Sequence, residues 1–390
     1  MPNPANPEAS AGTPREQFPI LGEGLYLNHA AVGPWPRCAA EAVRAFAAEN
    51  LNHGPARYAD WIERTAELRD GLARLTGAAS AADIALLKNT TEGISAVAWG
   101  LDWRAGDNLV LPRSEFPSNR LPWLAQRSRG VEVREVDIRS AADAETALIG
   151  AMDSRTRLLS VSAVQWSDGL RLDLQRLGDT CHQRGVLFFV DAIQQLGALQ
   201  VDVAACRIDY LAADAHKWLL GPEGIAVFYS NAAARPLLEL LQQGWHMVDN
   251  AWNFQRNDWT PADSARRFEA GSPNTLGQAA MHASVRLLLK QGMKTVESRV
   301  LANTAHLLER LPAIPGVRLA SRTAVDRRSG IVNFTVRDQP ASQLHRRLAE
   351  AGVSCALRGE GIRLSPHFYQ GDEEIERFVR LLENMLENML

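Results

Sequence analysis

The chain has 390 residues, 46% hydrophobic and 22% charged, with a net charge of −3. That length points to two packed domains, and the near-neutral balance without a basic stripe argues against a nucleic-acid partner. No apolar run is long enough to span a membrane, and Cys38, Cys181, Cys206 and Cys355 are too scattered for a disulfide framework or a thiolate metal site, which fits a reducing cytoplasm.

In chain order, the stretch 1–17 is rich in Pro, Ala and Asn, lacks an apolar h-region, and reads as a flexible lead-in and not a secretory signal. Seven short apolar runs then predict strands: Ile84–Leu87, Asn108–Leu111, Val131–Val136, Arg157–Val161, Val186–Val190, Tyr210–Ala213 and Ile225–Tyr229. Several are continuous and do not alternate, as in strands buried on both faces of a mainly parallel sheet. Helical stretches lie between them, among them Leu172–Arg184, starting near Asp173 and ending at Gly185.

From about Leu276 the pattern changes. Gln278–Leu311 reads as helix broken near Gly292, followed by a strand Ile331–Val336, a helix Ala341–Ala351 and a strand near Ile362–Leu364. A final amphipathic helix carries Ile375, Phe378, Val379, Leu382, Leu386 and Met389 at helical spacing. The expected fold is α/β: a large domain over 18–275, its N-terminal segment reaching into a smaller α+β domain over 276–390.

Two of the strands run into chemistry. One ends at Asp191, where open α/β sheets place their ligands. Another ends in Asp214-Ala-His-Lys217-Trp218 before Gly221-Pro-Glu-Gly224, which makes Lys217 a candidate desolvated, nucleophilic amine. Taken singly, each reads equally well as a loop residue or half of a salt bridge.

The ordered set Asp191-Ala-Ile-Gln194, Val201-Asp-Val203, His216-Lys217 and Gly221-Pro222 resembles the class V aminotransferases. This fold-type I pyridoxal-phosphate (PLP) group includes cysteine desulfurases, kynureninase and isopenicillin N epimerase-like proteins. The resemblance runs from about Tyr26 to the last helix. It implies that Lys217 forms the Schiff base with PLP and moves the proton at Cα, that Asp191 pairs with the pyridinium nitrogen, and that Gln194 meets the phenolic oxygen. His216 is implied near the phosphate, with a purely structural role as the alternative.

Lys88-Asn-Thr90-Thr91-Glu92 leads a strand into a helix, so Thr90 and Thr91 suit either phosphate binding or simple capping. Phe116, in Glu115-Phe-Pro-Ser-Asn119, matches the ring-stacking position, with a core phenylalanine as the alternative. Ser272, in Arg267–Thr275, matches a hydroxyl that crosses to the partner's phosphate, which implies a homodimer with shared active sites. Arg363 matches the arginine that holds the substrate carboxylate, and Arg358 is a second candidate or a solvated charge. Asn28, His29, Trp245 and His246 are candidates for the pocket wall or for ordinary packing.

The sequence departs from desulfurases in three ways: Phe116 replaces a histidine, Asp214 replaces a phosphate-binding serine, and the stretch around Cys355 is short. Cys355 reads as a structural thiol. Gln165 or Trp166 fills the place of an asparagine found in relatives. The reaction favoured on these grounds is transamination of a small amino acid, because it needs little beyond Lys217, Asp191 and Arg363. C–S lysis of the desulfurase kind and epimerisation share the same carbanion, and a non-catalytic PLP-binding accessory or sensor is the alternative of another class. No G-x-G-x-x-G follows a strand, and the nine histidines show no metal-ligand spacing.

Overall fold

The computed structural model describes residues 14–387. Met389 and most of the expected lead-in lie outside the described residues. The end of that lead-in is docked and not free: Pro14–Gln17 forms a 3-10 turn, and Arg15 pairs with Glu374 at 2.6 Å.

The large sheet has seven strands: β1 (Ile84–Leu87), β2 (Asn108–Pro112), β3 (Glu132–Val136), β4 (Thr156–Ser162), β5 (Leu187–Asp191), β6 (Tyr210–Asp214) and β7 (Ala226–Ser230). Their order is β1-β7-β6-β5-β4-β2-β3. Only β7 runs against the rest, antiparallel to both β6 and β1. The continuous apolar runs follow from burial on both faces. Val110, Phe188, Val190 and Leu211 belong to one core cluster, while Leu109, Leu111, Phe189 and Tyr210 belong to another. The helix Leu174–Arg184 is bounded as its ends dictate, with Asp173 accepting the Arg176 N–H and Gly185 left-handed at φ 66°.

The second core lies around a smaller antiparallel sheet of β8 (Val317–Leu319), β9 (Val332–Val336), β10 (Ala356–Arg358) and β11 (Gly361–Leu364), in the order β10-β11-β9-β8. The helices Ala341–Glu350 and Asp372–Glu387 pack there through Leu344, Leu348, Phe378 and Leu382. Leu25–Tyr26 pairs with Val353–Ser354, and Leu25 and Leu27 lie in the second core. The helix Thr275–Gln291, in contrast, contributes Met281, Val285 and Leu288 to the large core. The next helix, Met293–Arg310, is shared, with Val296 and Val300 in the large core and Leu307 and Leu308 in the second.

Candidate active site

The candidate residues gather where the parallel strands end. β1 leads to Thr90, β2 to Phe116, β4 to Trp166, β5 ends on Asp191 and leads to Gln194, and β6 ends on Asp214 and leads to Lys217. Parallel register sets Ser162 opposite Asp191 and Asp191 opposite Ala212. One edge of one sheet thus assembles groups far apart in sequence.

Lys217 and Asp191 are both buried. Burial is the main force lowering the Lys217 pKa, opposed by the charge of Asp191 and reinforced by that of Arg363. Burial likewise raises the Asp191 pKa, against the Ile193 N–H that donates to its carboxylate. The Lys217 amine lies 5.6 Å from the centroid of the Phe116 ring, and that ring is 41% exposed. A core phenylalanine would be enclosed; this one is exposed, with the amine over its ring. Glu115, unnoticed in the sequence, is a buried carboxylate that accepts the backbone N–H and hydroxyl of Ser162 and the amide of Gln165. Burial raises its pKa despite those donors.

The start of the helix Thr90–Gly100 is tightly held. Asn89 caps it by accepting the Glu92 N–H, and Glu92 reaches back to accept the Lys88 N–H. Thr90 and Asp214 exchange two hydrogen bonds: the Thr90 N–H donates to the Asp214 carboxylate at 3.2 Å, and the Asp214 N–H donates to the Thr90 hydroxyl at 3.0 Å. Asp214 therefore acts as a cross-link from β6 to this helix, and burial first of all pushes its pKa up to about 6. Thr90 is enclosed by the same exchange, whereas Thr91 is exposed and donates to Ser118 at 2.9 Å. Of the two threonines, Thr91 is the one open to a ligand. His216 is held down to about 4, by burial first and then by the charge of Lys217, so it is neutral. Ser272 is exposed on the segment before the helix Thr275–Gln291.

On the opposite side, Arg363 of β11 is 1% exposed, and its single hydrogen bond goes to the Trp166 carbonyl at 2.6 Å. Its Nε and Nη2 are buried without a partner. Burial, then the charge of Arg358, lowers its pKa to about 9. Trp166, whose carbonyl accepts from this guanidinium, has its ring edge-on to Phe116 at 5.6 Å. Gln165 is enclosed and engaged by Glu115 and Ser114, whereas Trp166 is only partly buried. The Asn28 Oδ1 is also buried without a partner, beside Ser365.

His29 does not join the pocket. It is 0% exposed, with its ring nitrogens engaged by the Ser365 carbonyl and the Tyr369 hydroxyl, so no nitrogen is left for a substrate. Trp245 and His246 lie with Trp252 and Phe254 in a separate aromatic group, His246 3.7 Å from Glu269.

Residues 25–378 match the profile of the class-V aminotransferases. The chain belongs to that family. It is 30% identical to a probable cysteine desulfurase of Methanothermobacter thermautotrophicus, over 95% of this chain and 97% of that one. It is 28% identical to a cysteine desulfurase of Klebsiella pneumoniae, over 95% and 97% of the two chains. Among solved structures, a cystine C–S lyase in complex with its product cysteine persulfide superposes with a TM-score of 0.88 at 26% identity, over 94% and 99% of the chains. A variant of that lyase carries glycine covalently linked to its PLP.

The protein is accordingly a PLP enzyme of fold type I. The residues present suit that cofactor: a desolvated amine over a part-exposed aromatic ring, a buried carboxylate at a strand end, and an orphaned guanidinium. Among the described residues no cluster could hold a metal ion, and no helix is long and apolar enough to cross a membrane.

Proposed function

We propose that the chain is a C–S lyase, releasing the sulfur group from Cβ of a small sulfur amino acid by elimination, without a protein thiol as sulfur acceptor. The observation that carries this reading is the hairpin before Arg363. Only Gly359 and Glu360 separate β10 from β11, so no cysteine-bearing loop stands there. Cys355 is buried, and burial pushes its thiol up to about 12, far from the thiolate a nucleophile needs. Cys181 and Cys206 are likewise shifted upward by burial, and Cys38 lies on the helix Arg37–His53 with its thiol on the Ala283 carbonyl. The sequence favours transamination on economy of residues. The chemistry named for the relatives moves the reading to C–S cleavage.

The residues divide the work as follows. PLP, when bound, supplies an electron sink for charge developing at Cα. Lys217 would hold it and take the Cα proton, a task suited to an amine whose pKa burial has lowered toward neutrality. Asp191 would face the ring nitrogen, Phe116 would cover one face, and Thr91 with His216 would meet the phosphate, joined by Ser272 of a second copy. Arg363 would grip the α-carboxylate through its unpartnered N–H groups, with the Asn28 amide beside it. The charge of Arg358 bears on both Lys217 and Arg363, and neither arginine has a carboxylate partner among the described residues. That surplus suits a substrate with two carboxylates, such as cystine. Loss of the Cα proton and departure of the sulfur with the Cβ–S electron pair leave a fragment that water converts to pyruvate and ammonia.

The test is to incubate the PLP-loaded protein with cystine or cysteine and measure pyruvate, free persulfide or sulfide, and protein-bound persulfide. Pyruvate in step with low-molecular-weight sulfur, unchanged in Cys355→Ser, is the expected result. Alanine with protein-bound persulfide would indicate a desulfurase, and a keto acid retaining its sulfur would indicate a transaminase.

A further inference from the structure

We propose that Trp218 is a positioning residue that fixes the Gln194 amide, so that Gln194 meets the cofactor as a hydrogen-bond donor. The argument starts from a side chain with no ambiguity. An indole N–H can only donate, and a backbone carbonyl can only accept. The Trp218 Nε1–H donates to the Gln194 Oε1 at 2.9 Å, and the Gln194 Nε2 donates to the Ala30 carbonyl at 3.0 Å. The two ends of an amide are otherwise interchangeable in outline. Here a donor-only and an acceptor-only partner hold it from both sides. Trp218 holds the carbonyl end on its own side, and the amide nitrogen keeps a second N–H to offer.

Trp218 is itself immobilised. It is 0% exposed, and its carbonyl accepts a hydrogen bond from the His367 Nε2 at 3.0 Å. The His29 ring lies 6.0 Å from its own, and a Cβ added at Gly330 would sit 2.4 Å from its ring edge. Gly330 and His367 come from the C-terminal part of the chain, whereas Gln194 follows β5. Trp218 is also the residue after Lys217, so the amine and the amide are set by one rigid turn. A donor aimed at the cofactor's phenolic oxygen favours the anionic form of that oxygen. The inference rests on Gln194 meeting that oxygen, as in the proposed site.

The test uses full-length protein reconstituted with PLP, reading the dissociation constant for PLP and the visible spectrum at fixed pH. Trp218→Phe keeps the ring and removes the N–H, and should weaken PLP binding about three- to tenfold, the effect of one hydrogen bond. Its spectrum should shift in the same direction as that of Gln194→Leu, and the double variant should add nothing further. An unchanged Trp218→Phe beside an altered Gln194→Leu, or additive effects of the two, would overturn the role of Trp218. If Trp218→Phe does not fold, Gln194→Glu decides. A carboxylate still accepts from Trp218 but turns an acceptor toward the phenolic oxygen, so it should bind PLP more weakly than Gln194→Leu. Binding at wild-type strength would overturn the proposed orientation. A wild type that gave no visible band with PLP would overturn the cofactor site itself, an outcome separable from the others.

Discussion

The Arg363 guanidinium spends one N–H on the Trp166 carbonyl at 2.6 Å and keeps Nε and Nη2 buried and unpartnered. A charge enclosed in this way destabilises the free protein, because desolvation is not repaid. It becomes useful when a carboxylate arrives. Arg363→Met should therefore raise the melting temperature of the cofactor-free protein while raising the KM for amino acids about 30-fold or more. PLP affinity should change little. Equal loss of PLP and amino-acid binding would make Arg363 a structural residue.

The two adjacent threonines should separate cleanly. Thr90→Val removes the acceptor of the buried Asp214 N–H and should cost about 1–3 kcal/mol of stability, the penalty of an unsatisfied buried group. Thr91→Val touches only an exposed hydroxyl bonded to Ser118, so stability should barely move while PLP affinity falls. Denaturant titration alongside PLP titration reads both. A Thr90→Val variant of wild-type stability would remove the case for Asp214 as a cross-link.

Gly33 should prove intolerant of a side chain. Its N–H donates to the His216 carbonyl at 2.6 Å, and a Cβ added there would lie 2.2 Å from the Lys217 carbonyl. The obstacle is backbone, which cannot swing aside. Gly33→Ala should lose about 1–3 kcal/mol of stability, the usual range for overpacking, and should disturb the visible band of the PLP form. Gly22→Ala, with nothing within 4 Å of the added Cβ, is the control expected to behave as wild type. A spectrally normal Gly33→Ala would mean that the N-terminal segment does not support the Lys217 turn.

Much of this was legible in the chain because strands buried on both faces write themselves as apolar runs, and Lys217 and Asp191 close two of them. Strands of two or three residues, such as Leu25–Tyr26 and Ala356–Arg358, carry no periodicity and were not readable. Glu115 is not legible as a buried carboxylate, because a lone glutamate beside Phe116 looks solvated and only the packing of β4 against its loop encloses it. Asp214 stood out as an unexplained carboxylate, and its partner Thr90 is 124 residues away. The packing role of His29 is equally non-local. Its enclosure by Ser365 and Tyr369 comes from the far end of the chain.

His367 should give the protein a measurable acid sensitivity. The Phe368 N–H donates to its Nδ1 at 2.8 Å, which puts the proton on Nε2, donated to the Trp218 carbonyl. The neutral ring satisfies both bonds. Burial holds its pKa down to about 4, against 6.5 for an ordinary histidine. A depressed folded pKa means that stability is fully present above about pH 6.5 and is lost as pH falls toward 4, by ~3 kcal/mol for a 2.5-unit difference. His29, shifted the same way by burial, steepens the loss. Asp214 opposes it, since its raised pKa gives stability present below about pH 4 and lost as pH rises through 6. Comparing variants removes that background. The stability gap between wild type and His367→Gln should be widest near pH 7 and should narrow steadily toward pH 4.5 in urea titrations. A gap constant with pH, or a His367 ring titrating near 6.5 by NMR, would mean that its neutral bond to Trp218 does not hold the turn bearing Lys217.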